Sequence, residues 1–302
     1  MGTVQPSMLH VPDRYNYIGA FLTLACNLRC SFCINHFGDA DKRYGLIPGD
    51  RWLAGLNRLI SRPDLPVTLQ GGEPSLHPDF YDIVNGLRGD LNIDVLTNLQ
   101  FDVEDFMANV PAERIKREAP YASIRVSYHP EVMRLEEIKT KVLRLLEGGY
   151  SVGIWAVRHP SQIEEIERAR AECVRDGIDF RFKEFLGFHE GRLYGTYAAP
   201  EAVSQEPGPA VECRTSELII GPAGDVFRCH SDLYLGREPI GSILDDDYAI
   251  EDVYRPCRDY GYCNPCDVKT KTNRFQEFGH TSVEIRSVEL GDAKPVVSDR
   301  DV

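Results

Sequence analysis

The stretch Cys26-Asn-Leu-Arg-Cys30-Ser-Phe-Cys33 places three thiols on one short segment. Three residues separate the first two cysteines and two separate the last two, so one loop can direct three thiolates to different irons of a cubane cluster. The fourth iron then has no protein ligand, and an open metal position can bind a reactant. Structural zinc is the alternative, since His36 could complete a set of four ligands. The spacing and the aromatic residue Phe32 favour the cluster.

A run of apolar residues leads into the first cysteine, and such runs alternate with helical patterns to about residue 200. The predicted strands cover residues 17–24, 66–70, 93–97, 123–127, 151–157 and 178–185. Helical spacing of apolar residues predicts helices at 48–62, 135–146 and 161–176. This alternation predicts a parallel sheet with right-handed crossovers, and six units favour a partial (β/α)6 barrel over a complete eightfold one. The cysteine loop, Gly71 and Asn98 follow predicted strands, at the edge where such sheets bind ligands.

The composition is that of an ordinary globular chain of 302 residues, of which 42% are hydrophobic and 27% are charged. The formal net charge of −13 argues against nucleic acid as a partner and favours the approach of a cationic substrate. The sequence has no apolar run of about 18 residues and no signal peptide, so we expect no membrane segment and a cytoplasmic location. Nine cysteines without a secretory signal indicate metal or redox chemistry rather than disulfides.

A second group of cysteines lies between residues 213 and 266. The pattern at 219–228 predicts a hairpin that would bring Cys213 and Cys229 to neighbouring strand ends. The knuckle Cys263-Asn-Pro-Cys266 offers two more thiolates from one turn. Two pairs from separate segments predict a site with four thiolates, for which the spacing alone also allows structural zinc.

Two cysteines remain outside these sites. Cys173 lies on the apolar face of the predicted helix 161–176 and is interpreted as a small core residue. Cys257 lies among loop residues that offer no apolar helical face. It is a spare loop thiol, an alternative cluster ligand or a catalytic hydrogen donor, and the catalytic role is the one predicted.

The first cysteine loop resembles the signature of the radical S-adenosylmethionine (SAM) superfamily, through Cys26, Cys30, Phe32 and Cys33. The resemblance implies a partial (β/α)6 barrel and a [4Fe–4S] cluster held by the three cysteines. It also implies that SAM binds the open iron, and that its reductive cleavage yields a 5′-deoxyadenosyl radical that takes hydrogen from a substrate. An electron donor such as flavodoxin or ferredoxin would supply the reductant.

The stretch Gln70-Gly71-Gly72-Glu73-Pro74 resembles the segment with which this superfamily holds the methionine amine of SAM. The resemblance implies that Gly71 and Gly72 let the backbone approach the ligand and that Glu73 meets the ammonium group. A simple turn is the alternative. Asn98 and Ser127 stand where relatives contact the ribose and the carboxylate, although Asn after a strand is also a common turn former.

The second cysteine group resembles the SPASM/twitch extension of radical SAM enzymes. This resemblance implies an auxiliary [4Fe–4S] cluster ligated by Cys213, Cys229, Cys263 and Cys266. Because no cysteine follows Cys266, the shorter twitch form with one auxiliary cluster fits better. The predicted divisions are an amino-terminal segment at 1–15, the barrel at 16–205, a small carboxyl-terminal twitch domain at 206–280 and a tail at 281–302.

In length and cysteine layout the chain resembles the twitch enzymes of aminoglycoside biosynthesis. These include neomycin C epimerase, which inverts an amino-sugar carbon with a cysteine hydrogen donor, and the dehydrogenase of 2-deoxystreptamine formation. The extra Cys257 favours the epimerase, and the acidic net charge suits a cationic amino sugar. The expected function is therefore a radical SAM epimerase of antibiotic biosynthesis.

Three other functions remain open. One is a twitch-type dehydrogenase of an aminocyclitol. Another is a peptide-modifying radical SAM enzyme, although about 15 residues precede the first predicted strand and leave no room for the winged-helix module of such relatives. The third is an iron–sulfur electron carrier, which would need neither a barrel nor the stretch at 70–74.

Overall fold

One large, mostly parallel sheet organises the residues that this computed structural model describes, which are 7–36, 45–271 and 280–288. The strands are β1 (Leu9–His10), β2 (Tyr17–Thr23), β3 (Leu59–Ile60), β4 (Val67–Gly71), β5 (Ile93–Thr97), β6 (Ile124–Tyr128), β7 (Val152–Arg158), β8 (Phe180–Glu184), β9 (Gly187–His189), β10 (Arg192–Tyr194), β11 (Val211–Thr215), β12 (Glu217–Ile220), β13 (Asp225–Phe227), β14 (Gly241–Ser242), β15 (Arg255–Cys257) and β16 (Val283–Ser287). The α-helices are α1 (Gly49–Leu56), α2 (Phe80–Gly86), α3 (Val103–Asn109), α4 (Ala112–Ile115), α5 (Leu135–Glu147), α6 (Ile163–Arg175), α7 (His230–Leu235) and α8 (Pro265–Val268). Short 3₁₀ turns lie at Ile34–His36, Pro74–Leu76, Pro160–Gln162 and Pro200–Val203.

Six neighbouring strands of this sheet, β2, β4, β5, β6, β7 and β8, run parallel in that order. They are the six strands predicted from the sequence, with bounds that differ by at most two residues. Helices separate each of these strands from the next along the chain. The arrangement agrees with the predicted partial (β/α)6 barrel.

The first predicted helix is shorter than expected. Helix α1 ends at Leu56, whereas the apolar pattern predicts a helix to residue 62. Leu59 and Ile60 instead form β3, which pairs in parallel with Leu9 and His10 of β1. Leu59 is fully buried in this pairing, so its apolar character serves a strand and not the helix face.

The two faces of β2 pack against different parts of the chain. Ile18, Ala20 and Leu22 face the helices and belong to the main core. Tyr17 and Phe21 lie on the other face, in a separate cluster with residues of the carboxyl-terminal part. Since side chains alternate along a strand, Gly19 also lies on that second face and fills none of it.

The predicted hairpin is present and extends the barrel sheet. β12 pairs with β13 in antiparallel fashion, and β12 also pairs in parallel with β2, with Glu217 opposite Tyr17. With β14 the sheet has nine strands. The division of the chain at residue 205 stays a prediction, and the strands on both sides of it share one sheet.

A second sheet of three strands has the order β15, β11, β16. β16 lies within the predicted tail at 281–302, and residues 289–302 of that tail are outside the described part.

Cys173 is fully buried in α6, as predicted for a core residue. Among the described residues, no helix has the length and apolar character needed to cross a membrane.

Candidate active site

The cysteine loop follows β2 and is held in place by the end of β4. The N–H of Gly72 donates to the carbonyl oxygen of Thr23 at 2.8 Å, and that of Glu73 donates to Ala25 at 2.8 Å. A Cβ at Gly71 would lie 1.9 Å from the Thr23 oxygen, and one at Gly72 would lie 2.0 Å from the Ala25 oxygen. Both glycines are therefore required by the approach of the chain to itself, and their contact with SAM stays a prediction.

The Glu73 side chain is buried, with 1% of its surface exposed. Its Oε1 accepts hydrogen bonds from the hydroxyls of Ser75 at 2.7 Å and Thr97 at 2.8 Å, and its Oε2 accepts from the N–H of Asn98 at 2.6 Å. Burial raises the pKa of this carboxyl, and these hydrogen bonds oppose the rise. In this arrangement Glu73 joins the ends of β4 and β5, while its predicted contact with the SAM amine stays a prediction.

Asn98 reaches from the end of β5 to the cysteine loop. Its Nδ2 donates to Asn27 Oδ1 at 2.7 Å and lies 3.7 Å from Cys26 Sγ. The N–H of Leu28 lies 3.4 Å from the same sulfur. Donors around a thiolate orient it and stabilise its charge, which suits a metal ligand. The predicted contact of Asn98 with SAM is untested by these hydrogen bonds.

The three thiols of this loop differ in exposure: Cys26 is exposed, Cys33 is half-buried and Cys30 is buried. Burial raises the pKa of Cys30 to about 12, and the negative charges of Cys33, Glu131 and Cys26 contribute to the rise. Thiolates that oppose one another's ionisation need a compensating cation, and iron in a cluster supplies one. The donor set of the loop therefore fits a [4Fe–4S] cluster held by three cysteines.

Among the described residues, no group of three or more His, Cys, Asp or Glu side chains is arranged to hold a metal ion. A cubane cluster binds its thiolates through different irons rather than at one point. The ligand roles of the cysteines stay predictions.

A cavity of about 510 Å³ occupies the interior of the barrel. Cys30 and Cys33 lie in its wall, as does Ser127 near the end of β6. Six basic residues and two acidic residues also line it: Arg125, Arg158, Arg181, Lys183, Lys269, Lys271, Glu184 and Glu217. The acidic balance of the whole chain thus does not extend to this pocket.

A second, smaller cavity of about 20 Å³ is lined by four cysteines, Cys213, Cys229, Cys257 and Cys263. Cys213 lies on β11, and Cys257 lies on the neighbouring strand β15, where the two side chains belong to one buried cluster. Cys229 precedes α7, and Cys263 precedes the turn into α8. Four thiols from separate segments therefore line one small cavity, with Arg228 and Arg237 beside them.

Cys266 lies in the wall of the large pocket and not at the four-cysteine cavity. Asn264 begins α8 by accepting a hydrogen bond from the N–H of Cys266 at 2.9 Å, so the chain turns between Cys263 and Cys266. The sequence grouped Cys266 with the auxiliary cluster and left Cys257 as the catalytic thiol. The pairing of β15 with β11 places Cys257 opposite Val211, in one cluster with Cys213, so Cys257 lines the four-cysteine cavity. The predicted roles of Cys257 and Cys266 stay predictions.

Asp267 holds this arrangement together, and the sequence analysis missed it. The carboxylate accepts hydrogen bonds from the N–H and Nδ1 of His230, at 2.8 and 2.9 Å, and from the N–H and hydroxyl of Ser231, at 3.0 and 2.7 Å. Although burial acts to raise it, the pKa of Asp267 is held below its usual value by these bonds. They join α7 to α8, and hence Cys229 to Cys266; a lone Asp beside a cysteine gave no signal of this role.

Residues 21–117 match the family model described as Radical SAM superfamily. With the cysteine loop and the parallel sheet, this match supports a radical SAM enzyme, a class that uses SAM and a [4Fe–4S] cluster. A particular relative is the mycofactocin maturase MftC of Mycobacterium tuberculosis, which is 24% identical over 265 residues and aligns with 69% of this chain and 62% of its own length. The chain thus spans about three fifths of the length of the curated relatives it matches.

Solved structures show the same fold. The structure of native anSMEcpe with bound AdoMet and Kp18Cys peptide has a TM-score of 0.54 and 13% identity, over 76% of this chain and 77% of that one. The structure of native anSMEcpe with bound AdoMet has a TM-score of 0.51 and 13% identity, over 76% and 78%. At such identities the likeness concerns the fold alone, and the twitch subclass and a second cluster rest on the cysteines.

The contact between β4 and the cysteine loop predicts that Gly72→Ala disturbs the first cluster. Its Cβ would meet the Ala25 oxygen at 2.0 Å, so the loop backbone must move. We expect a loss of about 1–3 kcal/mol in the free energy of unfolding and less iron per chain after reconstitution. Gly89→Ala is the matched control, because nothing lies within 4 Å of its Cβ. Equal iron content in both variants would contradict this account.

His129 follows β6 in the pocket wall, and burial, with the charge of Lys183, lowers its pKa to about 4. The folded protein therefore binds fewer protons than the unfolded chain between about pH 6.5 and 4. The contribution of neutral His129 to the free energy of unfolding is complete above this pH range and is lost as the pH falls through it. When the pH is lowered from about 7.5 to about 5.5, the free energy of unfolding of wild type should fall by about 1 kcal/mol more than that of His129→Gln. Denaturant unfolding at both pH values measures this difference, and an identical loss would show that His129 titrates normally.

Proposed function

We propose that this protein is a radical SAM epimerase that inverts a carbon of an amino sugar, with Cys266 as the hydrogen donor. The observation that carries the proposal is that Cys266 lines the same pocket as Cys30 and Cys33. An epimerase needs a hydrogen abstractor on one side of the substrate carbon and a hydrogen donor on the other.

Cys26, Cys30 and Cys33 would hold a [4Fe–4S] cluster, which with bound SAM supplies a 5′-deoxyadenosyl radical. The chain itself shapes the surroundings of the cysteine loop. Phe32 stacks on His159 at 5.0 Å between ring centroids and packs edge-on against His129 at 5.3 Å, so aromatic rings flank the cysteine loop. Glu131 accepts from the N–H and hydroxyl of Ser31 at 2.7 and 2.8 Å, which fixes the loop from the side of β6.

Cys266 would return a hydrogen atom to the substrate radical. The S–H bond breaks, a C–H bond forms on the opposite face of the carbon, and a thiyl radical remains on sulfur. One electron from reduced flavodoxin or ferredoxin and one proton from solvent restore the thiol. Burial raises the pKa of Cys266, which keeps the hydrogen on sulfur at neutral pH.

The same geometry supports an auxiliary cluster on a revised set of ligands. The proposal assigns Cys213, Cys229, Cys257 and Cys263, because these four line one cavity. Such a cluster could also accept an electron from a substrate radical. An aminocyclitol dehydrogenase is therefore a second candidate, and its product would lack two hydrogens.

Peptide modification is the third candidate. It is favoured by the similarity to a mycofactocin maturase and by the fold shared with anSMEcpe, whose structure holds a peptide. The basic lining of the pocket does not favour a cation by itself. The net charge of −13 favours the approach of a cationic substrate, and Glu217 offers it an acceptor inside the pocket.

The assignment of the auxiliary ligands predicts opposite effects of two alanine variants. Wild type should hold about eight irons per chain, as two cubanes. Cys257→Ala should lose about half of this iron, whereas Cys266→Ala and the core control Cys173→Ala should retain it. Iron and sulfide analysis with Mössbauer spectroscopy after anaerobic reconstitution measures the result. Loss of iron in Cys266→Ala alone would restore the ligand set expected from the sequence, and one zinc per chain would refute the auxiliary cluster.

The role of Cys266 predicts the fate of solvent hydrogen. A thiol exchanges with water, so turnover in heavy water should place one deuterium at the inverted carbon. Cys266→Ser should still cleave SAM and abstract hydrogen, but it should give no inverted product because an O–H bond is too strong to donate a hydrogen atom. Mass spectrometry of the product from a panel of amino sugars checks this. A product lighter by two hydrogens would support the dehydrogenase, and inversion by Cys266→Ser would exclude Cys266 as the donor.

A further inference from the structure

Glu217 is a buried carboxylate in the wall of the large pocket, and one of its oxygens has no hydrogen-bond partner among the described residues. The residue begins β12, opposite Tyr17 of β2, and 2% of its surface is exposed. Its Oε1 accepts a hydrogen bond from Lys271, whereas Oε2 is the unpartnered atom. Native structures rarely leave a buried carboxylate oxygen without a donor, so this atom marks a place for a ligand group.

The neighbours of Glu217 do not satisfy this oxygen. The Lys271 ammonium donates to Asn16 Oδ1 at 3.1 Å as well as to Glu217 Oε1, and lies 5.8 Å from the centre of the Tyr17 ring. His230 Nδ1 is 3.8 Å from Oε2, but it is engaged with Asp267 at 2.9 Å. The carboxylate is thus charge-compensated at Oε1, whereas Oε2 is buried behind the pocket surface and has no donor among the described residues.

A complementary donor lies in the same pocket wall. Gln70 Nε2 is buried and has no acceptor among the residues described. Gly19 makes room for this amide, because a Cβ at that position would lie 2.4 Å from Gln70 Nε2. In the described part of the chain, two residues of the pocket wall therefore carry a buried polar atom without a partner, an acceptor at Glu217 and a donor at Gln70.

We propose that Glu217 and Gln70 recognise the substrate in the pocket wall, and that the substrate is a polyhydroxylated amine. Glu217 Oε2 accepts a hydrogen bond from an ammonium group, and Gln70 Nε2 donates one to a hydroxyl or ring oxygen. Glu217 is level with the amino end of β2, whereas the cysteine loop follows its carboxyl end, about 20 Å along the strand. The recognised amine is therefore remote from the reacting carbon. This inference rests on the amino-sugar epimerase proposed above.

Calorimetric titration of the reconstituted enzyme, without reductant, tests this recognition. The probes are neamine, an aminoglycoside with several ammonium groups, and its fully N-acetylated derivative, which is neutral. Wild type should bind neamine more tightly than the acetylated probe. Glu217→Gln should raise the Kd for neamine by about tenfold or more, because a charge-assisted hydrogen bond is lost, and should change the Kd of the neutral probe little. Gln70→Leu should raise the Kd of both.

Two control variants separate recognition from structure. Lys271→Met breaks the same ion pair but keeps the carboxylate, so it should bind neamine as tightly as wild type or more tightly. Glu238→Gln changes the net charge equally at an exposed position and should leave the Kd unchanged. Iron content and melting temperature identify any variant that has failed to fold, and in that case Glu217→Asp, which withdraws the carboxylate by one methylene, takes its place.

Several results would overturn the inference. They are an unchanged Kd in Glu217→Gln, an equal loss in Glu217→Gln and Lys271→Met, no binding of neamine by wild type, and a crystal structure with neamine that has an ordered water only on Oε2. The epimerase fails separately, if neamine binding follows this pattern while turnover places no solvent hydrogen in any amino sugar. Conversely, inversion with solvent deuterium but no effect of Glu217→Gln would leave the epimerase standing and refute the recognition site.

Discussion

The approach of Gly71 and Gly72 to the backbone of Thr23 and Ala25 is the constraint on which the candidate active site depends. Two hydrogen bonds of 2.8 Å join these segments, and no side chain fits between them. Since the first cysteine follows Ala25 directly, the end of β4 sets the position at which the cysteine loop leaves the barrel. Glu73 extends the same connection to the end of β5, so three strand ends act as one rigid platform.

A short turn of chain in the carboxyl-terminal part separates two cavities that are lined by cysteines. Only two residues lie between Cys263 and Cys266, yet one faces the four-cysteine cavity and the other faces the large pocket. Asn264 starts the intervening helix, and Asp267 ties it to α7. The helix thus forms the wall between the two compartments. In the proposed function, the donor thiol and the auxiliary cluster would then lie close together without sharing a ligand.

Local patterns in the sequence were enough for the barrel, because each strand and helix carries its own apolar periodicity. The strand at Ile93–Thr97, for example, was predicted with its observed bounds. Pairing between distant segments was not readable. Cys257 lies beside Cys213 only because β15 pairs with β11, and nothing in the spacing of the cysteines encodes that pairing. The hydrogen bonds of Glu73 to Ser75, Thr97 and Asn98 also depend on the folded sheet and could not be predicted, while its predicted contact with SAM stays a prediction.

The continuation of the barrel sheet through β12 also bears on how the chain could be divided. β12 covers the edge of β2 with backbone hydrogen bonds, and β13 and β14 follow it. A fragment that ends at residue 205 would therefore lack β12, and β2, the strand before the cysteine loop, would have an unpaired edge. The exposed N–H and C=O groups of a long apolar strand such as β2 would then offer a template for edge-to-edge association. The cysteine-rich segment thus covers the edge strand of the barrel, and its removal would favour aggregation of the part that remains.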